Sequence, residues 1–503
     1  MSSPRAAART APSSGGGGEP PPPPFRVRLS ANAEQKASGY ALATKTHRPS
    51  HLITSVTPSL GLDFQSRKIN ATVNYDLGYD TYAFTKDRDG FRHNGAGVAK
   101  AELIDQHLFL DTRFSVTEQK VNPTGPTTAD NRPSASNRTR VTTVSASPRL
   151  EQRLGRWGVG QISYQHDETH NETPTATRNS LQSLGATSNT LANAKGDSGK
   201  LEVRSGEEFS QFLWDYASNI SHQLQGALTL DQISHSFGSE YRINNDFGVL
   251  SEIGHDTITG DQINSSKLSG VFYSGGMHWT PSPDVDLRLG WGRRNGGDNI
   301  YVLGEHKITP MTTLRLSSKT NITNDAMNFI EALNTMQRDE TGAFISPFSG
   351  ATANPSASQF SRSDAIYRQR ISSIMLSHAF ERNIFSLTGN MSEQTVVGGG
   401  ALRQNTLLGA NQGANSTSMS FEFQWTHEWT PSTSVVFNAN KEDVLQTNSL
   451  LGKSQRYRVG LGLSNKLSPT VTTNLSYRFA DSELDKGDAT KENMISVSLK
   501  KQF

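Results

Sequence analysis

The chain predicts an all-β protein: a transmembrane, antiparallel, up-and-down β-barrel with an even strand number, about 18–22 in all. Three observations predict it. Runs of period-2 alternation recur from Phe25 to the end with almost nothing helical between them. The connections between runs alternate between short turns and long polar loops. No apolar run approaches the 18 or more residues of a spanning helix.

Hydrophobic residues make up 34% of the 503, and mean hydropathy is −0.56. A barrel tolerates this, because half of each strand faces a polar lumen. There is no cysteine, hence no disulfide framework and no thiolate metal site. A net charge of +2 gives no electrostatic footprint for nucleic acid.

Residues 1–24, rich in Pro, Gly and Ser, read as a disordered tail. The segment has arginines but no apolar stretch of a secretory signal. From Phe25 to Phe503 the pattern is one barrel domain. Ile69, Val73, Tyr75, Leu77 and Tyr79 share a parity, as do Leu108, Leu110, Phe114 and Val116. Val285, Leu287, Leu289 and Trp291 follow, then Phe421, Phe423, Trp425 and Trp429. Tyr457, Val459, Leu461 and Leu463 precede Val471, Leu475, Tyr477 and Phe479. Side chains alternate between faces along a strand, so each run has one oily and one wet face. Pro58 and Pro148 fall inside two runs and cost ladder bonds there, predicting a late start or a bulge.

Short connections include Asp105–His107, Gly155–Arg156, Asn244–Asp246, Thr280–Pro283, Thr309–Pro310, Arg382–Asn383, Thr430–Ser432 and Ser468–Pro469. Long ones cover 80–92, 119–138, 167–196, 322–364 and 396–416. Trp279 and Trp429, just before two short turns, are candidates for an interfacial aromatic girdle. Counting runs gives 22 candidate strands, with the first and the pair around 210–240 weakest in alternation. About 20 strands imply a backbone diameter of roughly 40 Å, wider than side chains alone can fill.

The last strand alternates Ile495, Val497, Leu499 and Phe503 against Ser496, Ser498, Lys500 and Gln502. A terminal aromatic on such a strand resembles the C-terminal signature of bacterial outer-membrane barrels, which the barrel assembly machinery reads. Phe503, Leu499 and Val497 are then the assembly signal. Lys501 breaks the oily row, but its stem can run along apolar surface with the ammonium in water.

One segment departs from the strand pattern. Asn324 is placed to cap a helix reaching Thr341, with Asp325 in its first turn. Ala326, Phe329, Ile330, Leu333 and Met336 form its apolar face. This helix either covers the barrel from outside or folds into the lumen as a plug. Other constellations read as structure. His166 and His170, with Asp167 and Glu168, would lie roughly 13 Å apart on an extended chain, too far to share a metal. His235, His255, His306 and His378 fall on different strands, and no Gly-x-Ser-x-Gly motif surrounds a serine. Gly398–Gly400 is a glycine run with no helix after it, so it is loop and not a phosphate cradle.

Segments 53–84, 107–126 and 277–294 and the C-terminal stretch resemble the PEP-CTERM-system-associated outer-membrane protein family. The resemblance spans nearly all of 25–503. It implies a conduit or scaffold in exopolysaccharide export or envelope assembly at the bacterial outer membrane. The implied partners are membrane lipid, exopolysaccharide and periplasmic export components; no cofactor and no nucleic acid are implied. An anchoring protein that transports nothing is the alternative, and an outer-membrane enzyme the third reading.

Overall fold

The structure, a computed structural model, describes residues 25–42, 51–84, 89–120, 138–173, 192–226, 228–261, 263, 265–324, 327–328, 337–338, 344–345, 366–398, 415–446, 453–484 and 490–503. In chain order the elements are β1 Phe25–Leu42, β2 His51–Gln65, β3 Ile69–Tyr82, β4 Gly90–Ile104, β5 Leu108–Lys120, β6 Arg138–Arg153, β7 Gly158–Glu172 and β8 Ala194–Ser205. Next come β9 Phe212–Gln225, β10 Leu228–Arg242, β11 Phe247–Gly260, the four-residue helix α1 Ser265–Leu268, β12 Gly270–Ser282, β13 Val285–Arg294, β14 Gly297–Thr309 and β15 Thr312–Asn324. A two-residue ribbon, β16 Gln337–Arg338 and β17 Phe344–Ile345, stands apart from the wall. The wall resumes with β18 Ile366–Phe380, β19 Asn383–Gly398, β20 Ser416–Thr430, β21 Thr433–Gln446, β22 Lys453–Ser468, β23 Val471–Leu484 and β24 Thr490–Gln502.

Twenty-two strands form one antiparallel sheet in which each pairs with its chain neighbour, and β24 pairs with β1 from Ser30–Gln502 to Leu42–Thr490. The sheet is therefore a closed barrel, which removes every free edge along that closure. The even strand count is borne out at the top of the expected range.

Along the wall the oily parity faces outward. Leu461 and Leu475 are 50% and 48% exposed, and Val459, Leu463, Tyr477, Ile495 and Val497 are exposed beside them. A water-soluble protein would not leave so continuous an apolar surface open. In lipid it is the expected wall, because a closed ladder satisfies the backbone between strands.

All the predicted short turns lie at one end. The other end carries the long connections, with two exceptions. β9–β10 and β13–β14 are tight turns there as well, the latter through Asn295 (φ 51°) and Gly296 (φ 72°). A side chain on Gly296 would meet the Lys267 carbonyl of α1. The strict alternation of loop lengths is thus corrected at two places.

The prolines act on one side only. Pro58 stays paired with Ala31 on β1, while the β2–β3 ladder skips from Val56–Tyr79 to Ser59–Asp76. Pro148 stays paired with Leu110 on β5, while the β6–β7 ladder skips from Ala146–His166 to Arg149–Ser163. Each proline lacks an amide hydrogen, so the strand runs through it and loses bonds to one neighbour. Neither strand starts late, and both keep their register across the gap.

The expected helix to Thr341 is also corrected: Gln337–Arg338 pair as strand with Phe344–Ile345. Backbone pairing across that ribbon takes the place of helical bonds at Gln337 and Arg338. Residues 1–24, and Ala326, Phe329, Ile330, Leu333 and Met336, lie outside the described residues.

Candidate constriction at the long-loop mouth

The wall parts at two seams near the long-loop end. β4–β5 pairing stops at Gly95–Val116, although β4 continues to Gly90 and β5 to Lys120. β14–β15 pairing stops at Val302–Ser318, although β14 continues to Gly297 and β15 to Asn324. Between the seams lie the ten strands β5–β14 on one side and the other twelve on the other.

At the second seam the tip of β15 and β18 folds inward. Ile322 and Ile366 carry the outward parity of their strands, yet both are buried in a cluster with Leu230 of β10, Ile258 of β11 and Leu268 of α1. Leu230 and Ile258 belong to the inward face of a stretch of wall four to five strands away: Leu230 pairs with Gln223, and both are buried. The outer face of the tip therefore packs onto the inner face of β10–β11. Asn324 Nδ2 donates to Gln223 Oε1 of β9 at 3.0 Å, and Gln232 Nε2 to the Ile322 carbonyl at 3.4 Å. Arg368 Nη2 donates to the Asp298 carbonyl at 2.6 Å, capping the stretch of β14 that β15 has left.

The receiving wall is braced by charge. Arg294 donates to both oxygens of Asp256 at 2.7 and 2.8 Å and to Ser234 at 3.0 Å, with its guanidinium 4.0 Å from the Phe272 ring centroid. Asn295 Nδ2 reaches Asp256 and the Leu268 carbonyl, both at 3.1 Å, and fixes α1 to the wall. Bidentate pairs of this kind hold geometry as well as charge.

The start of the 322–364 loop enters the mouth. Asn324 Oδ1 accepts the Met327 amide at 2.9 Å, as the sequence-predicted cap would. The Met327 sulfur lies 3.7 Å from where a Cβ on Gly196 would stand, on the inner face of β8.

Burial also changes along other inward faces. On β5, Phe109, Asp111 and Arg113 are partly exposed, whereas Ser115, Thr117 and Gln119 are fully buried. On β22, Lys466 is exposed and Ser464 partly so, whereas Arg456 and Ser454 are buried. Ser221, Gln223 and Gln225 on β9, and Lys36 and Ser38 on β1, are buried too. On β5 and β22 the inward side chains are thus open toward the short turns and buried toward the long loops.

The other predicted residues are placed as follows. Phe503 is exposed, its amide donates to the Leu29 carbonyl at 2.8 Å, and Lys501 Nζ sits 5.2 Å from its ring centroid. Leu499 and Val497 are exposed on the outer face of the closing strand. Trp279 and Trp429 are exposed at the short-turn end, where Trp157, Trp214 and Trp425 also lie. Rings pack along that rim, with Phe385 stacked on Trp425 and Trp214 on Phe237. His166 faces outward and hydrogen-bonds Asp197 at 2.8 Å, and His235 stands opposite His255 across β10–β11. Among the described residues no three His, Asp or Glu side chains form a metal site.

No family model matches the sequence, and no curated protein matches it. Solved structures do match the fold. The FrpB iron transporter from Neisseria meningitidis (F5-1 variant) aligns with a TM-score of 0.51 at 10% identity, over 95% of this chain and 82% of that one. The siderophore receptor PirA from Acinetobacter baumannii aligns at 0.47 and 10% identity, over 94% and 80%. OccK2 (OpdF) from Pseudomonas aeruginosa aligns at 0.36 and 9%, over 95% and 98%. The closed wall, its outward apolar face and the fold shared with FrpB make this chain a β-barrel of the bacterial outer membrane.

Proposed function

We propose that the barrel is a conduit across the outer membrane, held shut at its outer mouth by the β15–β18 tip. The observation that carries this reading is the tip's attachment: a small apolar cluster and a few hydrogen bonds join it to the inner face of β9–β11. A latch of that size is releasable, whereas the ladder beneath it is continuous. The role in exopolysaccharide export or envelope assembly rests on the sequence resemblance and on a lumen wide enough for a hydrated chain. Among the described residues the inward aromatics Tyr82, Phe109, Phe272, Tyr301 and Tyr367 sit on five separate strands, so no single strand carries a sugar-stacking row.

The second reading is an anchoring barrel that transports nothing, and the buried long-loop half of the lumen favours it. Planar-bilayer conductance separates the two. Ile322→Asp puts a charge into the apolar cluster and releases the tip. A conduit then shows larger and more frequent openings than wild type. A folded Ile322→Asp protein that stays silent rejects the conduit and leaves the anchor.

A further inference from the structure

We infer that the inner face of β5 and β6 in the long-loop half is a binding track for a neutral, polyhydroxylated chain, engaged when the mouth opens. The inference rests on the conduit reading and names its substrate class. Ser115, Thr117 and Gln119 occupy three successive inward positions of β5, and each is 0% exposed. Ser115 Oγ, Thr117 Oγ1 and both carboxamide atoms of Gln119 have no hydrogen-bond partner. Buried polar groups are nearly always paired, and an unmade bond costs the full desolvation of the group. Four such atoms on one short stretch mark a surface shaped for something the closed state excludes.

The chemistry of the track narrows the ligand. Hydroxyls donate once and accept twice, and a carboxamide donates two and accepts two. That inventory complements the hydroxyls of a sugar, which also do both. Facing it on β6 are Thr139, Val141 and Thr143, all uncharged and buried. Thr143 pairs with Thr169 at 3.3 Å, and Thr139 donates to the Glu172 carbonyl at 3.1 Å, so these support the track's edge. Asp167 on β7 is buried with one carboxylate oxygen, Oδ1, unpartnered. It accepts from hydroxyls and repels an anionic polymer. Arg113, the next inward residue toward the short turns, ends the neutral stretch. The track lies at the first seam, because Thr117 and Gln119 stand on the part of β5 that β4 no longer covers.

The test measures binding of maltoheptaose, and of heptagalacturonate as the anionic counterpart, to full-length protein in detergent by calorimetry. It uses wild type, Ile322→Asp, and the double variant Thr117→Val with Gln119→Met. Near-isosteric apolar replacements remove unpaired groups, so the double variant keeps or raises its melting temperature. Wild type binds maltoheptaose, Ile322→Asp binds it more tightly, and the double variant loses about tenfold or more in affinity, roughly the effect of one or two hydrogen bonds. Heptagalacturonate binds more weakly throughout. Three results overturn the track: no maltoheptaose binding to wild type or Ile322→Asp, which leaves ordered water as the occupant; undiminished binding by the double variant; or preference for the anion. A barrel that conducts but binds no sugar loses the track and keeps the conduit. One that binds but never conducts does the reverse.

Discussion

The two ends of this barrel are made from the same strands and behave differently. In the short-turn half every ladder reaches its turn, with a gap at Pro148 and small register shifts beside some turns, aromatic rings pack along the outer rim, and inward side chains such as Phe109, Arg113 and Lys466 are partly or fully exposed. In the long-loop half the wall parts at two seams, residues of outward parity are buried, and polar side chains are orphaned. Alternation builds a wall wherever the neighbouring strand stays in register. Where it does not, the same oily parity can be turned onto another wall. The difference teaches that the wall carries the stability and the mouth carries the freedom to change.

That contrast can be broken by mutation, starting with the wall. Leu461→Arg places a charge on the lipid face and costs ~2–4 kcal/mol, against little for Ser464→Arg on the lumen side. Urea titration of the refolded barrel checks this; equal costs would mean the two faces are misassigned. Next is closure. Phe503→Asp removes the terminal aromatic and its cation–π contact with Lys501, and folded barrel in outer-membrane fractions falls severalfold while total synthesis is unchanged. Heat-modifiable migration on unboiled gels reports it.

Smaller effects belong to the mouth. Leu230→Asp buries a carboxylate in the latch cluster, which releases the tip and lowers barrel stability by less than the wall substitution, about 1–2 kcal/mol after the tip has moved away. Proteolysis of the 322–364 segment then quickens while the barrel stays heat-modifiable. The smallest effect has the opposite sign. Gln119→Met removes two unpaired buried atoms and leaves stability unchanged or raised by up to ~1 kcal/mol.

Most of the wall was legible in the sequence because burial on one face enforces period-2 alternation. Leu461, Leu475 and Val497 read correctly on parity alone. The strand count and the end that carries the short turns followed from turn chemistry such as Thr430-Pro-Ser432. The mouth was not legible for the same physical reason. Ile322 continues the parity of Leu314 and Leu316, so a reading by faces sends it to lipid. The hint was in its neighbours: Ser318 and Thr320 on β15, and Arg368 and Arg370 on β18, are polar or charged on that same parity. Those residues are poor lipid-facing choices and mark where the strands leave the membrane wall. The seams depend on which strand stops pairing first, which no single strand's pattern records.

The most direct measurement staples the latch. The chain has no cysteine, so Gln223→Cys with Asn324→Cys places the only two thiols where the 3.0 Å hydrogen bond now joins β9 to β15. A short, reducible bis-maleimide then ties the tip to the inner face of β9. Single-channel conductance of the stapled protein should stay at its lowest level, and cleavage of the linker should restore openings. Identical conductance before and after cleavage would contradict the claim that the β15–β18 tip shuts the mouth.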